Sequence, residues 1–191
     1  MSPENIERWV SDFGYGIILI GTYFDHFGIP LFIIFGGIAA STGTLNPIGV
    51  AVCGFLGGLI GDLFLYFLGY KTGIEYWRQF SWVRKMDKAI AFTNQMLQSK
   101  PAILIVLGRF LFAVSKIVPP FAGMVRYNTK RYVAYSITGN LLFAGLYTFL
   151  SVLSGPFIIE QLKGFKISSI VVTLLFIIIL VNVMRRLTPS K

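Results

Sequence analysis

The chain has 191 residues, of which 55% are hydrophobic and 13% are charged, and its formal net charge is +9. Soluble domains carry about a quarter charged residues, and a chain of this size cannot hide so much apolar surface in one core, so the composition excludes an ordinary soluble domain and indicates an integral membrane protein. The cations bracket apolar segments instead of clustering on one solvated face, which argues against nucleic-acid binding and is typical of topology signals and lipid-headgroup contacts.

The first predicted elements are two membrane spans with an interrupted segment between them. Residues 10–24 and 47–70 are apolar, and the second of these spans is rich in glycine and contains one acid, Asp62. The segment between them, residues 25–41, is also apolar but contains Asp25, His26 and Pro30. A proline inside a helix kinks or breaks it, so a plain helical span is not expected there.

A charged segment follows at residues 74–99. Its apolar residues fall mostly three, four or seven positions apart, which places them in one stripe along a helix. We expect an amphipathic helix that lies at the membrane surface.

The next segment, residues 101–125, combines the composition of a span with charges and a double proline. Arg109 and Lys116 lie seven positions apart, so a helix across both would present the two cations on one face. The double proline is predicted to end that helix, and a following glycine is predicted to allow a tight return. The residues predicted to shape the bends of the two interrupted segments are Pro30, Gly108, Pro119, Pro120 and Gly123.

Two charge-free runs, residues 132–159 and 167–184, are the last predicted spans. Each approaches or exceeds the roughly 20 residues that cross a hydrocarbon core as a helix.

The basic residues predict the orientation of the chain. Residues 71–100, 126–131 and 185–191 are rich in Lys and Arg, whereas residues 41–47 and 155–165 are poor in them. Cytoplasmic loops carry the excess of cations. We therefore expect both termini in the cytoplasm, and each interrupted segment must then enter and leave the membrane on one side.

The predicted fold class is an all-α integral membrane protein with a single domain over residues 1–191. It contains an inverted repeat of two opposed re-entrant helical hairpins, residues 25–41 and 101–125, together with about four transmembrane helices and the amphipathic surface helix. Paired interrupted segments in the two halves of a chain indicate a transporter's binding site. The alternative is that the prolines only kink ordinary spans.

Four ionisable side chains are predicted at membrane depth: Asp25, Asp62, Arg109 and Lys116. Insertion scales place the cost of each at about 3 kcal/mol, and pairing of acids with bases would offset part of it. Such pairs either only lock helices together or form a site. Guanidinium binds phosphate through two parallel hydrogen bonds, and an ammonium adds a point charge, so a site here would suit an anionic headgroup.

The acids are also candidates for proton coupling. Burial disfavours the charged form of a carboxyl group, so Asp25 and Asp62 could take up protons in a dry cavity. His26 either relays a proton or is an interfacial residue. The chain contains one histidine and no motif of a hydrolase, phosphate loop or metal centre, so we expect neither an enzyme nor a cofactor or bound metal.

Several short motifs resemble one membrane-protein family. They are Gly108-Arg109-Phe110, Val118-Pro119, Ala122-Gly123, Arg131-Tyr132 with Gly139, and Gly61-Asp62 followed by Tyr66 and Gly69. Together with Asp25 and Pro30, they resemble the DedA (VTT-domain, SNARE-associated) proteins over roughly residues 25–147.

This resemblance implies two opposed re-entrant hairpins, four spans and movement of phospholipid or polyprenyl phosphate across the bilayer, in bacteria often tied to the proton-motive force. It implies essential roles for Asp25, Asp62 and Arg109. The chain departs from the family pattern at two places. Ser115 stands where the family has a second arginine, with Lys116 one position later, and apolar residues replace an acid late in the first hairpin.

The predicted function is that of a transporter or flippase for a lipid phosphate, such as undecaprenyl phosphate or a phospholipid, in the cytoplasmic (inner) membrane of a bacterium. Arg109, Lys116 and Ser115 are the predicted headgroup contacts, and Asp25, Asp62 and His26 the predicted proton or charge-coupling groups. A structural scaffold with paired buried charges and a proton-coupled small-ion antiporter are the alternatives. The sequence leaves open the lipid, the direction, the driving ion and whether the chain forms a homo-oligomer.

Overall fold

The structure is a computed structural model that describes residues 3–25, 30–79 and 87–164, and this part of the chain is all helical. The helices are α1 (Pro3–Phe24), α2 (Leu31–Ser41), α3 (Pro47–Arg78), α4 (Asp87–Ser99), α5 (Phe112–Met124) and α6 (Thr129–Gly164). Between α4 and α5, Ile103–Leu107 forms a π-helical segment and Gly108–Phe110 forms a 3-10 turn. His26 and the predicted span at residues 167–184 lie outside the described residues. All contacts below fall within the compact unit Met1–Gly155.

Two helical stretches, Pro47–Tyr76 and Thr129–Gln161, are long and apolar enough to cross a membrane. They contain the second and third predicted spans. The first predicted span corresponds to a shorter apolar helix, Phe13–Phe24. α3 is kinked at Gly73, whose φ of 71° and ψ of 167° are not helical. A residue with a Cβ rarely adopts that backbone, so glycine allows the bend at this end of α3.

α3 and α6 pack antiparallel in a regular register. Each step of four residues along α3 is matched by a step of four residues back along α6, so one stripe of each helix faces the other. The facing pairs are Gly54 with Ala144, Gly58 with Asn140, Asp62 with Ser136 and Tyr66 with Tyr132. Consequently the loop at residues 42–46 and the connector at residues 125–128 lie at opposite ends of this helix pair.

α1 and α2 form a second antiparallel pair. Gly36 of α2 lies against Ile18 of α1, and a Cβ built on Gly21 of α1 would overlap the ring of Phe32. The prediction confined the first interrupted element to residues 25–41, but the antiparallel partner of α2 is α1.

α1 ends beside the middle of α3. The Tyr23 ring is 6.2 Å from the Phe64 ring, and the Leu19 carbonyl lies against Gly57. The last turn of α1 therefore lies at the level of Asp62 instead of at an end of α3.

α5 packs against α3 backbone to backbone. A Cβ built on Gly69 would overlap the carbonyl of Pro120, and one built on Gly123 would overlap the carbonyl of Tyr66. Small residues at matched positions let membrane helices approach this closely. Gly123 thus serves packing between helices, and the prediction that it forms a tight return is wrong.

The break in the second interrupted segment is earlier than the prolines indicated. Pro119 and Pro120 lie inside α5, so the prediction that they end a helix is wrong. Membrane helices tolerate proline where neighbouring groups satisfy the freed carbonyls. The helical path instead breaks at Leu111, which is extended at φ −102° and ψ 116°, and the chain turns at residues 125–128, where Arg126 has a φ of 54°.

α4 presents one apolar face to the rest of the protein. Ile90, Thr93 and Leu97 are buried at helical spacing, and Ile90 packs with Phe121 and Met124 of α5. Within the described residues, the predicted amphipathic helix is helical at residues 74–78 and 87–99. The buried stripe of α4 contacts other parts of the protein. The location of the amphipathic helix at the membrane surface stays a prediction.

Candidate functional site

An ion pair between Asp62 and Arg109 lies in the middle of the helix bundle. Asp62 is near the centre of α3, and Arg109 is in the 3-10 turn just before the break at Leu111. Nη1 of Arg109 donates a hydrogen bond to Oδ2 of Asp62. The two side chains are largely buried, with exposed fractions of 14% for Arg109 and 17% for Asp62. The break allows the arginine to leave its helical path and reach α3.

Two neutral side chains of α6 complete the surroundings of the Asp62 carboxylate. Ser136 Oγ donates to Asp62 Oδ2 over 3.1 Å, and Asn140 Nδ2 donates to the same oxygen over 2.8 Å. Both residues are almost fully buried, and Asn140 Nδ2 also contacts the Ser136 carbonyl at 2.9 Å. The Oδ2 atom of Asp62 thus accepts hydrogen bonds from two side chains of α6 in addition to Arg109.

Ser136 and Asn140 were not predicted from the sequence, because they lie in a run without charges. One signal was present: two polar residues four positions apart in an apolar helix share a face. Their target on α3 was not visible, because the register of two helices is not contained in either segment.

The guanidinium of Arg109 is enclosed on several sides. Its Cζ lies 5.1 Å from the centre of the Phe143 ring, a cation–π distance. A Cβ built on Gly58 would overlap both Arg109 Nη2 and Asn140 Oδ1. Among the described residues, Arg109 Nε and Asn140 Oδ1 are buried without a hydrogen-bond partner. The space beside Gly58 is therefore filled by polar groups of the site, in addition to any role in helix packing.

A narrow, open cleft lies beside the ion pair. Its walls are Asp62, Leu104, Ile105, Gly108, Arg109, Ser115, Val118, Pro119 and Tyr132. The cleft thus combines apolar walls with one cation, one carboxylate and two hydroxyl-bearing residues. In the part of the chain that the structure describes, no three His, Cys, Asp or Glu side chains are grouped so that they could hold a metal ion.

Of the predicted headgroup contacts, the structure brings Arg109 and Ser115 together in this cleft. Lys116 follows Ser115 in α5, and its side chain lies outside the described part. Because Leu111 interrupts the helix between Arg109 and Lys116, the prediction that one helix presents both cations on one face is wrong. Gly108 and Pro119 line the cleft.

Asp25 stabilises the start of α2. Its Oδ2 accepts a hydrogen bond of 3.0 Å from the backbone N–H of Leu31, and an acid at a helix N-terminus also interacts favourably with the helix dipole. Pro30 is buried directly before this helix. The proton-coupling roles of Asp25 and His26 stay predictions.

Comparison with known proteins decides the family. Residues 28–153 match the VTT domain. The chain belongs to the VTT-domain (DedA) family. The predicted family is confirmed, and with it the classification as a membrane protein.

Curated members of the VTT-domain family are similar to this chain over most of their length. Inner membrane protein YohD of Escherichia coli K12 is 28% identical over 160 residues, which cover 84% of this chain and 80% of YohD. Undecaprenyl phosphate transporter A of Bacillus subtilis 168 is 23% identical over 190 residues, which cover 97% and 95% of the two chains. No solved structure matches the chain significantly.

Proposed function

We propose that this VTT-domain protein moves a lipid phosphate across the cytoplasmic membrane, with a polyprenyl phosphate or a phospholipid as the substrate class. The observation that carries the proposal is a buried arginine, held by Asp62 halfway along a membrane-length helix, at the wall of an open cleft. An intramembrane charge beside a cleft is a site candidate because burial is costly. The name of the Bacillus relative supports the substrate class.

The two interrupted elements are proposed to be opposed re-entrant hairpins, with revised boundaries. The first would comprise Phe13–Phe24 and Leu31–Ser41, and the second residues 101–110 and α5. The revised first hairpin replaces the predicted span at residues 10–24 and would put the residues before Phe13 on the same side as the loop at residues 42–46, in place of the predicted cytoplasmic N-terminus. Two observations support these hairpins. The end of α1 and Arg109 both lie beside the middle of α3, while the loops that follow the two elements lie at opposite ends of α3. Irregular backbone at membrane depth is tolerated against protein or a water-filled cavity.

In this mechanism the phosphate competes with Asp62 for Arg109. The guanidinium gives up its bond to Asp62 and donates two parallel hydrogen bonds to the headgroup, while Ser115 and Lys116 contribute a hydroxyl and a further cation. The tail stays in lipid, since the cleft is too small to enclose it. Asp62 keeps its bonds from Ser136 and Asn140 and either remains ionised or takes up a proton, with Asp25 and His26 as further proton groups.

Transport is tested in proteoliposomes that contain radiolabelled undecaprenyl phosphate, with an impermeant phosphatase added outside. Only headgroups that reach the outer leaflet release labelled phosphate. We expect Arg109→Ala to reduce the release to the protein-free level, because the anion loses its main partner. Lys130→Ala, which removes an exposed cation of α6, is the matched control and should transport normally. Undiminished release by Arg109→Ala would contradict the proposal, and a headgroup-labelled phospholipid in a parallel assay distinguishes the two lipid classes.

A structural scaffold is the second candidate, because Asp62 and Arg109 form an ion pair without a ligand. It predicts that the wild-type protein moves no lipid phosphate and that the charge-free double variant Asp62→Asn/Arg109→Gln differs from it only in stability. Under the transport proposal the same variant folds but moves no lipid phosphate.

A further inference from the structure

Gly58 is placed where a side chain would displace Arg109. It lies on α3 one helical turn before Asp62, and the atoms that a Cβ would overlap there are Arg109 Nη2 and Asn140 Oδ1. Other glycines differ in this respect. Gly54 on the same stripe would meet apolar atoms of Ile33 and Ala144, and Gly145 would meet nothing within 4 Å. The space that a side chain at position 58 would occupy is therefore filled by Arg109 and Asn140 of the ion-pair site.

We propose that Gly58 is a positioning residue that stores the Arg109 guanidinium between transport events. With Asn140 and Phe143 it bounds a slot in which the guanidinium lies beside Asp62. This inference rests on the proposed function, because storage has meaning only if Arg109 leaves the slot to bind an anion.

The slot holds the guanidinium with incomplete hydrogen bonding. Nη1 bonds to Asp62 and the ring of Phe143 lies 5.1 Å from Cζ, but Nε is buried without a partner. A buried donor without a partner is unfavourable, so a ligand with several acceptor oxygens can draw the arginine into the cleft. Storage of Arg109 competes with binding of the headgroup. Only molecules in which Arg109 is not stored can bind, so the apparent affinity for the headgroup is reduced in proportion to the stored fraction.

Gly58→Ala should therefore change binding and turnover in opposite directions. The added methyl group excludes Nη2 from the slot and moves Arg109 toward the cleft, which removes the competition and tightens binding. The same change removes the state to which Arg109 returns on release, so turnover slows. A merely structural defect would lower the rate without tightening binding.

The experiment measures the transport rate against the mole fraction of undecaprenyl phosphate in the proteoliposomes. For Gly58→Ala we expect the half-saturating mole fraction to fall by about fivefold and the maximal rate to fall by about tenfold. Gly145→Ala, the matched control on an open face of α6, should change neither value. If folded Gly58→Ala has an unchanged or higher half-saturating mole fraction of undecaprenyl phosphate, the proposal that Arg109 is stored beside Gly58 is wrong.

A second measurement covers a failure to fold or to transport. In an Arg109→Lys background Nη2 is absent, which removes one of the two overlaps of the added methyl group, so Gly58→Ala should lower the unfolding temperature less than it does with arginine present. If Gly58→Ala alone does not fold, Arg109→Lys should restore folding. Equal destabilisation in both backgrounds, or no rescue, would refute the slot. An absence of transport by the wild-type protein would refute only the proposed function, because the unfolding comparison does not depend on transport.

Discussion

Asp62 lies near the middle of the apolar helix α3 and accepts hydrogen bonds from donors of two other elements. One is the guanidinium of Arg109, and the others are the hydroxyl of Ser136 and the amide of Asn140. A buried ion pair needs such additional hydrogen bonds, because its mutual attraction alone often does not offset the loss of hydration. The cluster accounts for the presence of both charges in an otherwise apolar region.

Asp62→Asn should destabilise the protein strongly, because it leaves Arg109 buried without a counter-charge. The expected loss is about 3–5 kcal/mol of unfolding free energy, measured by denaturant unfolding in detergent micelles. The double variant Asp62→Asn/Arg109→Gln should lose less than the sum of the single changes, since no unpaired charge remains.

Glu160→Gln makes the same chemical change at an exposed acid and serves as the control, with an expected effect within about 0.5 kcal/mol. A similar small effect for Asp62→Asn would show that the ion pair contributes little to the fold.

The charged half of the site was predictable from the sequence, and the neutral half was not. Asp62 and Arg109 were found because an isolated charge is costly in lipid. Gly58 and Asn140 carry no such signal, because glycine and asparagine also serve packing and helix contacts in membrane proteins. Their roles depend on the register between α3 and α6, which only the folded structure contains.

At the scale of elements, the second interrupted segment shows that local helix propensity does not determine where the helix breaks. The double proline is the strongest breaker in the chain, yet α5 continues through it. Leucine is a good helix former, yet the helix breaks at Leu111. The break lets Arg109 approach Asp62 while α5 packs on α3, so tertiary contacts overrode local propensity at both places.

The close contact between α3 and α5 yields a sharp prediction for Gly123→Ala. The added methyl group would overlap the backbone of Tyr66 and lie 2.7 Å from the backbone nitrogen of Tyr70, and backbone atoms cannot rotate away. Overpacking typically costs about 1–3 kcal/mol and more when the surroundings are rigid, so we expect a clear loss of thermal stability in detergent.

Gly145→Ala is the matched control for Gly123→Ala, since its methyl group would meet open space and alanine favours the helix by roughly 1 kcal/mol. Unchanged stability of Gly123→Ala would show that α3 and α5 are not in backbone contact.

At the scale of the whole molecule, the distribution of basic residues and the helix packing are both consistent with residues 42–46 and 125–128 lying on opposite sides of the membrane. The positive-inside pattern puts the loop at residues 42–46 outside and the connector at residues 125–128 inside. Independently, the antiparallel register of α3 and α6 puts these two segments at opposite ends of the pair. The helix packing does not show which end of the pair faces the cytoplasm, so that assignment stays a prediction from the basic residues.

The orientation can be measured by labelling single cysteines in a Cys53→Ala background with an impermeant maleimide. Thr42→Cys should react in intact cells, whereas Gln98→Cys and Asn128→Cys should react only after permeabilisation, because their surroundings carry the cytoplasmic excess of cations. All three positions are exposed or partly exposed. Labelling of Gln98→Cys from outside alone would reverse the orientation.

The long helices and the places of the interrupted segments could be predicted from the sequence, but the start of the first interrupted element could not. The long apolar runs gave the membrane-length helices, and the interrupted segments indicated where the chain departs from plain spans. The antiparallel partner of α2 was missed, because residues 13–24 look like an ordinary apolar span and nothing in them indicates that α1 ends beside the middle of α3.

The facing stripes of α3 and α6 differ in chemistry along their length. At one end Tyr66 stacks on Tyr132 at 4.2 Å, and its hydroxyl donates to the Tyr127 carbonyl at 2.6 Å. At the other end Gly54 faces Ala144, beside a buried apolar cluster that includes Val50 of α3, Phe143 of α6 and Ile33 of α2. The polar groups around Asp62 are thus enclosed between an aromatic contact and an apolar cluster, and the cleft is the side from which Asp62 and Arg109 can be reached.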